Sequence, residues 1–277
     1  MPTYRIKLAT LVSCALTLLF VGSIHGFEAT STSATTQITS YIQERRQLAR
    51  DLESALVDNR VTSSYRVVPV TGPMYGIGAA IDPDNPLDLE TRRCVVSKKS
   101  LPEPDPWVAF PTWTSRSQVG LEAGLPAKIS SILFSVGATA QRSQLAFYQF
   151  SDISQQLVAK GDFYSLIANK ECLKQLKQHP KGLLLVRGVV IGRETFKTDG
   201  RWLADADIKV LSKTVSLFSV KYDGRGNFEL TDTQPSAKFI VVTLVLPPDR
   251  GATIEGSLRA PTDAELGPLE QSARLRR

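Results

Sequence analysis

A chain of 277 residues with 42% hydrophobic and 22% charged residues can bury a sizeable core, which excludes a wholly disordered chain, a collagen and a polytopic membrane protein. Two histidines and three cysteines leave little material for a metal cluster or a histidine-dependent active site, and no cofactor is expected. The net charge of +6 is spread thinly. Its densest clusters, Lys98-Lys99 and Arg274, Arg276 and Arg277, carry no interleaved aromatics, so nucleic acid is not an expected partner.

Residues 1–26 have three parts: a basic start at Arg5 and Lys7, an uncharged run from Leu8 to Ile24, and small residues at Gly22, Ser23 and Gly26. This is the pattern of a secretory signal peptide. Left uncleaved, the 8–24 run would be an N-terminal anchor in contact with the membrane. Both readings place the main domain outside the cytoplasm: periplasmic, extracellular or membrane-anchored. Cleavage would leave a net charge of +4, because this segment carries two bases and no acid. Cys94 and Cys172 would remain as an even pair, the expected disulfide in an oxidising compartment.

Residues 27–37, rich in Ser, Thr and Ala, read as a flexible spacer. Over 38–58, Ile38, Tyr41, Ile42, Leu48, Leu52 and Leu56 recur at helical steps, and only Arg45 breaks the apolar stripe. An amphipathic helix is expected there, starting near Thr39 or Ser40. A β-rich domain should occupy 62–248. It opens with a strand near 62–70 and an ordered Gly- and Pro-rich loop, with a strand at Cys94-Val95-Val96. The Pro-rich stretch around Trp107 forbids a helix. Alternation over 117–150 predicts three antiparallel strands, with a short helix at 152–159. One helix is expected over 163–178, with Asp162 as its N-cap and His179-Pro180 as its stop. The run 183–191 reads as a central strand buried on both faces. A further strand is expected near 194–197, a long one over 208–222, a turn at 223–227, a return strand from Phe228, and a last strand over 238–246. The tail, 249–277, reads as mobile or loosely docked, with Thr262 and Glu265 as a capping-box pair. The fold class is α+β: a mainly antiparallel sheet with one N-terminal helix and one helix packed on the sheet.

Candidate chemistry is sparse. His179 is better placed to end a helix than to act as a base, and no phosphate-binding glycine motif occurs. Asp82, Asp84, Asp88 and Glu90 have calcium-like chemistry, but Pro83 and Pro86 interrupt their spacing, so no metal site is expected. Glu103 and Asp105 flank Pro104 on a rigid loop and need no glycosidic role. Tyr75, Trp107, Phe110 and Trp113 form either a binding surface of exposed rings or the plug at one end of the β-core. Together these features point to an exported cell-envelope or secreted binding protein without enzymatic activity, whose partner is a protein or an envelope component. The alternative is a membrane-active, pore-forming β-hairpin protein, since amphipathic strands serve both ends. A hydrolase with an unrecognised site is the weakest of the three readings.

Overall fold

The computed structural model describes residues 38–56, 64–70, 75–86, 94, 101–106, 110, 112–115, 118–120, 145–199, 218–222, 227–247 and 254–275. The expected export segment, the spacer, Trp107, Asp88, Glu90, Val95-Val96, residues 121–144 and 200–217, and the turn at 223–226 lie outside these.

A large antiparallel sheet dominates the α+β fold, as its strand-rich sequence predicts. Its axis is β8 (Leu183–Asp199), which begins with the apolar run. One edge of β8 pairs with β7 (Leu145–Leu157) along most of its length. The other edge is shared. β11 (Ser236–Val245) pairs with β8 from Leu183 to Gly192, and β10 (Asn227–Asp232) takes over from Thr195 to Asp199. The sheet therefore forks near Gly192–Glu194. Beyond β10 lies β9 (Phe218–Tyr222), and beyond β11 lies β2 (Arg66–Pro69). Short strands finish the edges. β4 (Asp105–Pro106), β5 (Thr112–Thr114) and β6 (Gln118–Gly120) line β7, and β6 pairs in parallel with β1 (Ile38–Ser40). β3 (Ala80–Ile81) pairs with β8, and β12 (Leu258–Arg259) with β11.

Helix α1 (Tyr41–Ala55) starts at Ser40, whose hydroxyl accepts the Gln43 N–H while Gln43 reaches back to the Ser40 N–H. Its apolar stripe, Tyr41, Leu48 and Leu52, packs on Tyr148, Phe150, Phe196 and Leu230 from one face of the sheet. Rings at 5.4–6.0 Å centroid separation knit Tyr41, Trp113, Tyr148 and Phe196 together.

Three local expectations are corrected. The segment expected as a helix at 152–159 continues β7. Its polar run offers weak helical periodicity, and pairing with Gly188–Ile191 of β8 outweighs it. A bulge between Ser151 and Ser154 absorbs the change of register, with Asp152 at φ 52°, a left-handed conformation that Asp tolerates. The single helix expected over 163–178 is two, α2 (Lys160–Ile167) and α3 (Lys170–Gln178). Asn169 accepts the Glu171 N–H and restarts the helix, and Asp162 lies in the first turn of α2 instead of capping it. The tail is ordered as α4 (Asp263–Leu275), with Leu266 and Leu269 buried against Val68 and Ile240. The Thr262–Glu265 capping box forms, and Pro268 falls inside the helix without ending it.

Cys94 and Cys172 are bonded, with Cα atoms 4.7 Å apart across 78 residues of sequence. The bond anchors α3 to the β3 end of the sheet, among Ala80, Phe163 and Leu185. Such a bond is what an oxidising compartment allows. His179 is the C-cap residue of α3, as its position before Pro180 predicts.

Candidate functional site

Two polar constellations arise from the fork, one on each face of the sheet. The inner one is buried. Arg45, the residue that breaks the α1 stripe, points its guanidinium into the core, with Nε 3.3 Å from Glu194 Oε1 and Nη2 donating to the carbonyls of Val70 and Lys238. Glu194 also accepts from the hydroxyls of Tyr41 at 2.7 Å and Tyr148 at 2.8 Å. Lys238 Nζ sits 3.3 Å from Glu194 and 2.7 Å from Asp232. The N–H of Glu194 lies where β8 changes partners, and the Asp232 carboxylate accepts it at 3.0 Å. Two cations thus face two carboxylates in an interior that would penalise any unpaired charge.

The charges tune one another. Burial alone would raise the Glu194 pKa, but Arg45, Lys238 and the two phenol hydrogen bonds outweigh it and hold the carboxyl at about 2. Burial opposes the charge on Lys238, and the nearby Glu194 and Asp232 more than restore it. Tyr41 and Tyr148 are pushed well above the usual phenol range, first by burial and then by Glu194. A carboxylate held ionised between phenols held protonated is a rigid pin. It joins α1 to the fork.

The outer constellation is open. On this face the four strands β7, β8, β10 and β9 place side chains in register. One row reads Phe147, Lys197, Glu229, Lys221, and the next reads Gln149, Thr195, Thr231, Ser219. Ser151 and Arg193 begin a third. The last two rows, with Lys197, Lys221 and Glu229, line a shallow open pocket of about 350 Å³, and so do Asp152 and Asp232, the second of them shared with the inner cluster. Glu229 serves two ammonium groups, Lys197 at 3.6 Å and Lys221 at 3.9 Å. Both distances exceed a good hydrogen bond. The Thr195 and Thr231 hydroxyls bond to each other at 3.0 Å. Arg193 Nε lies 2.9 Å from Asp152 at the bulge. Phe147 is 48% exposed, the most exposed large hydrophobic side chain among the described residues.

The residues singled out from sequence are distributed differently. Tyr75 is buried, with its hydroxyl donating to the Pro86 carbonyl. Trp113 is buried on the α1 side, with Nε1 donating to Asp51 at 2.7 Å. Phe110 packs half-buried against the same core, and Trp107 lies outside the described residues. The described rings therefore pack into two separate parts of the interior and present no common surface. Asp82 turns toward His179 Nδ1 at 3.3 Å and Asp84 toward Lys181 at 2.9 Å, so both carboxylates have cationic or imidazole neighbours. Among the described residues no group of three His, Cys, Asp or Glu side chains is placed to hold a metal ion. Glu103 and Asp105 are exposed, and Asp105 pairs with the edge of β7. No described helix is long and apolar enough to cross a membrane.

No family model matches the chain, and no curated protein does. Among solved structures, a bacterial gasdermin from Bradyrhizobium tropiciagri aligns with a TM-score of 0.29 and 8% identity, over 52% of this chain and 68% of that one.

Proposed function

We propose that this is an exported binding protein that holds a ligand of the cell envelope on the outer face of β7, β8, β10 and β9, without chemical turnover. The observation that carries the reading is the in-register polar platform, with an aromatic ring exposed at its edge. The Cys94–Cys172 bond supports export. The main charge constellation that could do acid–base work is the Glu194 cluster, whose Glu194 and Arg45 are buried under α1, where they serve as a pin, with Asp232 alone reaching the outer pocket.

The membrane-active alternative has less support. Of the strands such a hairpin would use, 117–150 and 208–230, the described apolar residues Tyr148, Phe150 and Leu230 pack in the core with α1, and the opposite face carries Lys221 and Glu229.

The test uses the mature chain and isolated envelope material. The chain should sediment with the envelope, and the double substitution Ser219→Arg/Lys221→Glu should abolish this. Lys174→Glu on the exposed side of α3 should not. Liposomes should retain their dye. Equal loss in both variants, or dye release at submicromolar protein, would overturn the proposal.

A further inference from the structure

Resting on that reading, we infer that the ligand is an acidic oligosaccharide, a short glycan carrying carboxylates, laid across the four strands at the Phe147–Lys221 row. Three observations converge on this chemistry.

The first is charge. Lys197 and Lys221 share a single carboxylate, Glu229, and neither approaches it closer than 3.6 Å. The two lysine side chains are 49% and 75% exposed. The other two carboxylates of the pocket are taken, Asp152 by Arg193 and Asp232 by Lys238, so one cation in this row is in excess, and a second carboxylate arriving from solution would complete the alternation without displacing Glu229. A neutral ligand would leave that excess unanswered. A strongly basic one would meet two lysines.

The second is the next row. Gln149 and Ser219 offer an amide and a hydroxyl at its two ends, about three strand separations of ~4.8 Å apart, on either side of the Thr195–Thr231 pair, whose hydroxyls bond each other and Glu229. Groups that both donate and accept suit a ligand made of hydroxyls, because each sugar hydroxyl also does both. Four strands span about 14 Å, room for a short oligosaccharide lying across them.

The third is Phe147. It sits directly across from Lys197 on the same face, at the end of the charged row. A phenyl ring has no hydrogen bonds to offer. It can stack on the C–H face of a pyranose, burying apolar area at little entropic cost. A bare phosphate or a carboxylate-rich peptide would use the lysines and gain nothing from that ring. The combination of ring, hydroxyl row and cation excess is what separates a sugar acid from other anions.

The experiment is calorimetric titration of the mature protein with a linear tetrauronate, with the neutral tetrasaccharide of the same length, and with inorganic phosphate. The tetrauronate should bind, the neutral sugar about tenfold more weakly, and phosphate not measurably. Phe147→Ala should weaken tetrauronate binding about tenfold. Lys221→Met, which keeps the stem, should weaken it about threefold and reduce its salt dependence. Both positions are exposed, and unchanged circular dichroism and melting would establish that the variants are folded. Equal affinity for acidic and neutral sugars, or binding indifferent to Phe147→Ala, would overturn the inference. No tetrauronate binding at millimolar concentration, with envelope retention still lost in Ser219→Arg/Lys221→Glu, would refute the ligand class and leave the binding face standing. No tetrauronate binding, with envelope retention unaffected in that variant, would refute both.

Discussion

Arg45→Met is the sharpest test of the pin that joins α1 to the sheet. The guanidinium is buried with Glu194, Lys238 and Asp232, two cations against two carboxylates. Removing Arg45 leaves two carboxylates for Lys238 alone, an uncompensated negative charge in the core. It also removes the side-chain donor to the Val70 carbonyl. Breaking a buried pair in this way costs about 3–5 kcal/mol, a large share of the roughly 5–15 kcal/mol that holds a domain folded. Urea unfolding of the protein should show a lower midpoint with an unchanged slope. Glu194→Gln should also destabilise, since it strands a positive charge while retaining an acceptor for Tyr41 and Tyr148. The double variant leaves the balanced Lys238–Asp232 pair and should recover about 2 kcal/mol or more relative to the sum of the singles. Additive effects, or singles each costing under about 1 kcal/mol, would refute the account of the cluster as a coupled unit.

Acid should act through the same carboxyl. Because the Glu194 pKa falls from 4.5 to about 2 on folding, its contribution, on the order of 3 kcal/mol, is complete above pH 4.5 and is lost as pH falls toward 2. Stability measured across that window should fall less in Glu194→Gln than in the parent. Cys94 and Cys172 should resist alkylation until reduced, and the double alanine variant should lose about 4.5 kcal/mol by loop-closure entropy across 78 residues. Gly192→Ala should destabilise by about 1–3 kcal/mol, since its Cβ would run into the Phe150 ring and lie 2.9 Å from the Ser151 carbonyl oxygen. Melting midpoints check each of these, and a Gly192→Ala protein as stable as the parent would show that β7 and β8 are not held that closely at the fork.

The elements that sequence patterning predicts well are those whose own periodicity decides them. The α1 stripe, the apolar run that opens β8 and the 238–246 strand each carry enough local signal to resist tertiary override. Where local signal is weak, long-range pairing decides. Residues 152–157 become strand because β8 offers them partners. The tail orders because Leu266 and Leu269 find an apolar patch that its composition does not announce. The pin was half legible. Arg45 stands out as the single break in the α1 stripe, but Tyr41 and Glu194 lie 153 residues apart, and no local spacing connects them. The outer platform was less so. Alternation in 145–151 and 227–232 shows that one face is polar, yet which polar groups become neighbours depends on register across four strands. The rings at Tyr75 and Trp113 attracted attention by residue type, and their burial places them in the core. Among the described residues, Phe147, within an alternating strand, is the large ring that stays exposed.

The claim that the outer face is the binding surface meets its most direct test in hydroxyl-radical footprinting of the mature protein with and without envelope material. Phe147 reports on the face, and Leu173 on α3 serves as the internal control. Oxidation of Phe147 should drop several-fold when the envelope is present, with Leu173 unchanged. Retention of the protein on the envelope with Phe147 oxidised at its free rate would contradict the account.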